Sequence, residues 1–305
     1  MKNVTHIPVL TKEVIDLIDP KPNENFIDAT FGEGGHSLSI LEKNGPNGKV
    51  LGIDLNGELI ESAKSAIQEK GYTGRATLVT DNFANLKEIL SKNDIGPISG
   101  ILLDLGISSW HLEKSGKGFS FLKDEKLIMR LNSDENGMTA YEILNTWPGE
   151  ELETIFRLYG EERFSRRITE EIMRERKLKP ILKTFHLLEI IKRAVPKYYL
   201  NTRIHFATRT FQALRIAVNG ELDNIDKALP QALDILEPGG KLVVISFHSL
   251  EDRIIKNFFR TEAKKGNLKI ITKKPLTPLE EEIRTNPRSR SAKLRAAMKY
   301  LAPRG

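Results

Sequence analysis

Short apolar runs alternate with amphipathic stretches in the first third of the chain. Four runs rich in β-branched and aliphatic residues predict strands, and their bounds are residues 26–29, 49–54, 76–80 and 98–103. Apolar positions at helical spacing between these strands predict helices at residues 38–42, 57–69 and 85–90. Strands joined by crossover helices are typical of a parallel sheet. The pattern therefore predicts an α/β domain of order βαβαβαβ.

The strand pattern stops after Trp110 and returns only near residue 241. The intervening segment is highly charged and predicts helices, with bounds at residues 150–158, 161–175 and 187–194. A further helix at residues 222–236 and a Pro-Gly-Gly turn then lead into a fifth strand at residues 241–247. We therefore expect a discontinuous sheet domain, residues 1–112 and 214–305, interrupted by an inserted helical domain, residues 113–213.

Composition restricts the class of protein. The chain has 305 residues, of which 39% are hydrophobic and 29% charged, which is ordinary for a globular protein and too apolar for a disordered one. Its apolar runs are much shorter than the roughly 20 residues of a membrane span, and its first residues lack the layout of a secretory signal. These features predict a cytoplasmic protein without membrane partners.

The cysteine and histidine content limits the chemistry. Zero cysteines exclude disulfides, a thiolate nucleophile and a cysteine zinc site. The six histidines show no metal-ligand spacing. We therefore expect chemistry that needs no metal.

Positive charge is concentrated near the end of the chain. Lys and Arg total 47 against 41 acids, a net charge of +6, which favours polyanionic partners only weakly. Residues 284–305 contain no acid, and their basic residues are Arg284, Arg288, Arg290, Lys293, Arg295, Lys299 and Arg304. This segment suits phosphate contacts, and a solvated basic tail is an equally good interpretation.

A glycine-rich loop follows the first predicted strand. Residues 28–36 read DATFGEGGH, and glycines there let the backbone turn sharply and approach a ligand at the start of the next helix. Asp54 ends the second strand, where its carboxylate can accept hydrogen bonds from both ribose hydroxyls. The spacing alone does not choose between NAD and S-adenosylmethionine. Ser37 stands where a dinucleotide motif has its last glycine, which counts mildly against NAD.

Two further residues lie at the same predicted edge of the sheet. Asp104 ends the fourth strand and precedes a small-residue loop, and ligands of such sheets bind along the carboxyl ends of the strands. A turn cap is the structural alternative for Asp104. Phe83 follows the third strand and could flank an adenine ring, or belong to the core.

Seven motifs, taken together, resemble the bacterial ribosomal RNA small-subunit methyltransferase H family, also called MraW. They are HIPVL at His6, DATFGEGGHS at Asp28, LLDLGISS at Leu102, KGFSF at Lys117, ATRTFQALRIAVNGEL at Ala207, ISFHSLEDRIIK at Ile245 and NPRSRSAKLR at Asn286. The motifs follow the family's order and cover nearly the whole chain.

This resemblance implies a class I, Rossmann-like S-adenosylmethionine-dependent methyltransferase with an inserted all-α substrate-recognition domain. It implies methylation of the N4 amino group of a decoding-region cytosine of 16S rRNA, in the small ribosomal subunit or its precursor. The donor pocket it implies consists of Gly34, Gly35, His36, Asp54, Phe83, Asp104 and His111. The family usually has glutamine at the position of His111, and its LDMRMD stretch loses two carboxylates here, at Ile128 and Asn132.

Candidate catalytic and substrate residues complete the prediction. Asp104 is the candidate catalytic residue, because a hydrogen-bond acceptor on the cytosine amino group would localise its lone pair, and a nearby carbonyl is the alternative acceptor. The candidate substrate contacts are Arg209, Arg215, His248, Ser249, Arg288 and Arg290. Residues 203–215 interleave arginines with Phe206 and Phe211, which suits phosphate pairing with base stacking or, at helical spacing, a core face. The Ser and His near residue 248 lack the Gly-x-Ser-x-Gly elbow of a hydrolase.

Two rival interpretations remain. An NAD-dependent oxidoreductase would share the glycine loop and Asp54, but no nicotinamide or substrate motif accompanies them. A non-catalytic RNA-binding ribosome-assembly factor could retain the donor pocket, and the departures at His111, Ile128 and Asn132 favour that alternative.

Overall fold

The computed structural model describes residues 8–132 and 137–300, so that His6 and Arg304 lie outside the described residues. The chain divides into two compact units. The sheet unit comprises Met1–Gly106 and Leu222–Gly305, and the helical unit comprises Ile107–Glu221.

The helical unit, Ile107–Glu221, is longer at both ends than the inserted domain predicted at residues 113–213. The helical unit begins before residue 113 because Ile107 and Leu112 pack against its hydrophobic core. It extends past residue 213 because Ala217 and Val218 also pack there.

The described residues form seven strands and thirteen α-helices. The strands are β1 (Asn25–Asp28), β2 (Val50–Asp54), β3 (Ala76–Thr80), β4 (Ile98–Asp104), β5 (Leu236–Ser246), β6 (Leu268–Ile270) and β7 (Lys293–Lys299). The helices are α1 (Thr11–Ile18), α2 (Gly35–Lys43), α3 (Gly57–Glu69), α4 (Leu86–Lys92), α5 (Ser109–Glu113), α6 (Ala140–Thr146), α7 (Gly149–Leu158), α8 (Ser165–Glu175), α9 (Thr184–Ala194), α10 (Thr208–Asn219), α11 (Glu221–Ile235), α12 (Ser249–Lys264) and α13 (Glu280–Thr285).

The sheet unit contains one mixed seven-stranded sheet of order β3-β2-β1-β4-β5-β7-β6. The first five strands in this order are parallel, and β7 runs antiparallel to both of its neighbours. The order reverses direction along the chain between β1 and β4. The carboxyl ends of β1, β2 and β4 therefore lie side by side at one edge, where ligands of open α/β sheets bind.

Both faces of the sheet are buried, which explains the continuous apolar runs of the parallel strands. In β4, Ile101 and Leu103 enter the core that contains the apolar side chains of α4, α11 and α12. Leu102 points the opposite way, into the core that contains those of α1, α2 and α3. Helices therefore cover the sheet on two sides, and the five predicted parallel strands are confirmed. The fifth begins at Leu236, five residues earlier than predicted, because residues 237–240, which include the predicted Pro-Gly-Gly turn, form an irregularity in its pairing with β4.

The basic segment near the end of the chain forms part of this sheet. Residues 293–299 are β7, so a solvated basic tail is wrong for this stretch. Arg295 is buried, and its Nε and Nη2 donate to Oδ1 and Oδ2 of Asp252 at 2.6 and 3.2 Å. Lys299 donates to the backbone carbonyls of Asp234, in the last turn of α11, and of Leu236, the first residue of β5. These cations serve the fold.

Replacing Arg295 by methionine is expected to destabilise the protein by about 3 kcal/mol, because the carboxylate of Asp252 then keeps only the more distant Lys293, whose Nζ lies 3.8 Å from Oδ2. Burial raises the pKa of Asp252, but Arg295 outweighs burial and holds that pKa below its usual value. The stabilisation is therefore present at neutral pH and is lost as pH falls through the lowered pKa. Urea unfolding measures the effect. The double variant Arg295→Met/Asp252→Leu should recover most of the loss, and a double variant as unstable as the single one would contradict this account.

The helical unit has its own core, which contains Phe156, Ile168, Leu187, Ile190 and Leu214 among other buried apolar residues. The single helix predicted over residues 161–175 starts only at Ser165. The buried carboxylate of Glu162 accepts hydrogen bonds from the backbone N of Phe164 and the hydroxyl of Tyr199, which fixes a turn there.

Within the described ranges, no helix combines the length and apolar character that crossing a bilayer requires.

Candidate active site

The loop between β1 and α2 requires glycine at two adjacent positions. Gly34 has a φ of +80°, and a Cβ there would lie 2.7 Å from Cζ of Phe31. A Cβ on Gly35 would lie 2.2 Å from Cγ of Pro8. Only glycine fits both places, and the backbone thereby reaches the first turn of α2, where N–H groups lack intrahelical partners. The loop forms a narrow cradle at the carboxyl edge of the sheet.

Asp54 joins the end of β2 to this glycine loop. Its Oδ2 accepts a hydrogen bond from the backbone N of Gly32 at 2.8 Å, and its Oδ1 accepts one from the backbone N of Asn56 at 2.8 Å. Burial raises the pKa of Asp54, and the backbone donors partly offset this effect. The carboxylate is thus held in one orientation at the strand tip, with further lone pairs for a ligand.

Asp104 and His36 face each other next to the loop. Oδ2 of Asp104 lies 3.5 Å from Nε2 of His36, and His36 is only 5% exposed. Burial lowers the pKa of His36, but the carboxylates of Asp104 and Asp28 outweigh burial and raise it above its usual value. Within residues 8–132 and 137–300, Oδ1 of Asp104 and both ring nitrogens of His36 lack hydrogen-bond partners. Buried polar atoms without partners are costly, so this pair is suited to receive a polar ligand.

Three supporting residues escaped the sequence analysis. Asp28, at the end of β1, is 1% exposed and accepts a 2.7 Å hydrogen bond from the hydroxyl of Ser37. The hydroxyl of Thr30 accepts a 2.6 Å hydrogen bond from the backbone N of Asp104. Asp28 is the last residue of its strand, as Asp54 and Asp104 are of theirs. This shared position in the sequence could have identified Asp28 as a site residue.

Burial raises the pKa of Asp28 to about 6, while His36 and Ser37 counteract part of the increase. Replacing Ser37 by alanine removes a donor to the charged carboxylate, so the pKa of Asp28 is expected to rise further. Carbon-13 NMR titration of the carboxyl group measures it. Ser39→Ala is the matched control, because the Ser39 hydroxyl donates to the carbonyl of Gly35 instead. A pKa that stays at its wild-type value in Ser37→Ala would contradict the assignment.

Neither of the other two predicted donor residues is the last residue of a strand. Phe83 begins a short 3₁₀ turn after β3 and is partly buried against the core of the sheet unit. His111 belongs to the helical unit, where it is 4% exposed and its Nδ1 lies 2.9 Å from the hydroxyl of Ser108. Burial lowers the pKa of His111 to about 4, so the ring is neutral at pH 7.

Three of the predicted substrate residues contact other parts of the protein. Arg209 donates to the backbone carbonyl of Glu161, and Arg215 forms a two-bonded ion pair with Glu221 at 2.8 and 2.9 Å. His248 is the N-cap of α12, where its Nδ1 accepts from the backbone N of Glu251.

The remaining three substrate candidates are solvent-exposed. Ser249 opens α12, and Arg288 and Arg290 lie on the 3₁₀ turn Pro287–Ser291. Phe211, by contrast, is a core residue at 4% exposure with its ring edge against Phe121, so base stacking on Phe211 is wrong.

The strand order, the antiparallel β7 between β5 and β6, and a glycine loop with acidic strand tips define a class I S-adenosylmethionine-dependent methyltransferase. A model of the MraW methylase family matches residues 3–300, and the chain belongs to that family. It is 44% identical to the ribosomal RNA small subunit methyltransferase H of Heliobacterium mobile, an alignment that covers 96% of this chain and 98% of the relative. It is also 44% identical to the protein of that name from Syntrophotalea carbinolica, over 95% of this chain and 96% of the relative.

Proposed function

We propose that this protein transfers a methyl group from S-adenosylmethionine to the N4 amino group of cytosine 1402, in the customary numbering, of 16S rRNA. The observation that carries the proposal is family membership over nearly the whole chain, together with the carboxylate and glycine cluster at the sheet edge. The relatives' names support a ribosomal RNA of the small subunit as the substrate.

The residues at the sheet edge fit the donor. A Cβ at Gly34 or Gly35 would collide with Phe31 or Pro8, so glycine allows the loop to take this path, and a backbone at a helix start suits a polar ligand group. Asp54 is oriented to accept the two ribose hydroxyls. The unpartnered ring nitrogens of His36 offer further polar contacts, and we propose that Asp104 binds the donor through Oδ2. Phe83 and His111 complete the proposed donor pocket by resemblance to the family.

Methyl transfer to an amino nitrogen makes a specific demand on the protein. When bound, S-adenosylmethionine supplies a methyl group on a positively charged sulfur. The N4 lone pair of cytosine is delocalised into the ring, so an acceptor that hydrogen-bonds an N4 proton localises the pair. As the new N–C bond forms, the nitrogen gains positive charge, and the acceptor removes that proton to leave a neutral methylated amino group. Oδ1 of Asp104 is the acceptor we assign, since Oδ2 faces His36. Exclusion of water and orientation of the base supply the rest of the rate enhancement.

The proposed substrate contacts differ in how they can act. Arg288 and Arg290 are exposed on one turn and are suited to pair with phosphates. We propose Ser249 and His248 as contacts at the start of α12. Arg209 and Arg215 have intramolecular partners, and we propose that they position the helical unit's α10 for the same substrate.

Nucleoside mass spectrometry of small-subunit rRNA tests the proposal. Cells that lack the protein should lose the N4-methylcytidine signal, and wild-type protein should restore it. An Asp54→Ala variant at equal abundance should fail to restore it. A signal that persists without the protein would rule out the proposed target. Restoration by Asp54→Ala would instead favour the non-catalytic assembly factor.

A further inference from the structure

A cluster of aromatic rings surrounds one arginine in the helical unit. The guanidinium carbon of Arg163 lies 4.9 Å from the ring centre of Phe164, 5.4 Å from that of Tyr198 and 4.7 Å from that of Tyr199. The guanidinium of Arg167 lies 5.9 Å from the ring of Phe164. These distances are those of cation–π contacts, which fix the rings and the charges relative to one another.

The rings of this cluster have different exposures. Tyr199 is buried, and its hydroxyl donates a 2.8 Å hydrogen bond to Glu162, so it belongs to the fold. Tyr198 is 61% exposed, although the same arginine holds it. The protein therefore holds the ring of Tyr198 in contact with solvent. Because most of this ring stays exposed, its apolar surface contributes little to folding.

The two arginines of the cluster place their charges against aromatic rings. Across the part of the chain that the structure describes, neither Arg163 nor Arg167 forms an ion pair with a carboxylate, whereas Arg166 pairs with Glu170 at 3.0 Å. Arg167 also lies in the first turn of α8, where positive charge is unfavourable because the helix dipole is positive there. A local excess of positive charge beside an exposed ring is suited to an anionic partner that carries flat groups.

We propose that Tyr198, with Arg163 and Arg167, is a platform on which an unpaired base of the RNA substrate stacks while the guanidinium groups pair with its phosphates. The proposal rests on the proposed function for the identity of the RNA. Single-stranded nucleic acid is the ligand that the chemistry favours, because stacking on an aromatic ring needs a base face that a duplex does not expose. The platform adjoins one of the candidate RNA contacts of residues 203–215, because the guanidinium of Arg209 donates to the backbone carbonyl of Glu161, two residues before Arg163.

Fluorescence anisotropy with a labelled single-stranded RNA of decoding-region sequence tests the platform. Tyr198→Ala is expected to weaken binding roughly 5- to 100-fold, the usual cost of losing one stacked base, and Tyr198→Phe should bind like wild type. Arg167→Gln should lower the slope of log affinity against log salt by about 0.7, the value for one phosphate contact on a single strand. Tyr141→Ala is the matched control, because Tyr141 is 38% exposed in the same unit and, in the described residues, no guanidinium lies over its ring.

Three results would overturn the platform. One is a Tyr198→Ala variant that binds the RNA with the same affinity as the wild-type protein or as the Tyr141→Ala control. Another is equal competition by a duplex of the same length. The third is intact RNA binding combined with weaker binding of whole small subunits, which would assign the surface to a ribosomal protein. Thermal melting checks that the variants fold.

The binding assay also separates this inference from the proposed function. If wild-type protein binds the RNA through Tyr198 but leaves 16S rRNA unmethylated, the platform stands and the proposed function fails. If methylation occurs and Tyr198→Ala changes neither affinity nor the KM for subunits, only the platform fails.

Discussion

Replacing Asp54 by alanine is expected to weaken binding of S-adenosylmethionine by roughly 100-fold or more. In the proposed donor site the carboxylate accepts two hydrogen bonds from the ribose, and hydrogen bonds to charged groups contribute about 1.5–3 kcal/mol each. The substitution also removes the acceptor for the backbone N–H groups of Gly32 and Asn56, so the glycine loop loses a tether at the strand tip. Isothermal titration calorimetry measures the affinity directly.

Two controls make the Asp54 result specific. Glu58→Ala removes one negative charge from an exposed position four residues away and should leave donor affinity unchanged. Asp54→Asn keeps one acceptor oxygen and should lie between wild type and Asp54→Ala. Wild-type affinity in Asp54→Ala would contradict the assignment of the ribose site.

Replacing Asp104 by asparagine is expected to lower the single-turnover rate of methyl transfer roughly 100-fold. The amide has the same shape but loses the charge that would accept an N4 proton, and a positioned proton acceptor typically contributes 10²–10⁴ in rate. The fold should survive, because the backbone N of Asp104, and not its side chain, makes the bond to Thr30. The pKa of His36 should fall as well, because Asp104 is the neighbour that contributes most to raising it.

Rapid-quench measurements on saturated enzyme check this rate, and calorimetry on the same preparation gives the donor affinity. A large loss of rate with a small change in affinity identifies Asp104 as catalytic. If the rate is unchanged and only the affinity falls, Asp104 binds the donor and another group accepts the proton.

The sequence predicted β1, β2, β4 and β5 well because most of their residues are buried and read as aliphatic runs, whereas the less buried β3 was recognised from its β-branched residues. It failed for β7, where Lys293, Arg295 and Lys299 suggested a surface for phosphates. Arg295 can be buried only because Asp252, 43 positions earlier in the chain, neutralises it. Such a distant partner leaves no trace in local composition, so the strand was not recognised.

The part of the candidate site that could be predicted consists of single residues at the ends of strands or in the glycine loop. Glycines that must lie at positive φ, and acids that end strands, have positional signatures, which is why Gly34, Asp54 and Asp104 were identified. The bonds of Thr30 and Ser37 were not predictable, because hydroxyl residues are common in any turn and only the fold shows which acceptor or donor they meet.

Transfer of a labelled methyl group in a purified system tests the central claim most directly. Small subunits from cells lacking the protein are incubated with it and methyl-deuterated S-adenosylmethionine, and the rRNA nucleosides are analysed by mass spectrometry. Wild-type protein should produce deuterated N4-methylcytidine in 16S rRNA, and Asp54→Ala should produce almost none. Label on a different nucleoside, or donor binding without any labelled product, would contradict the claim.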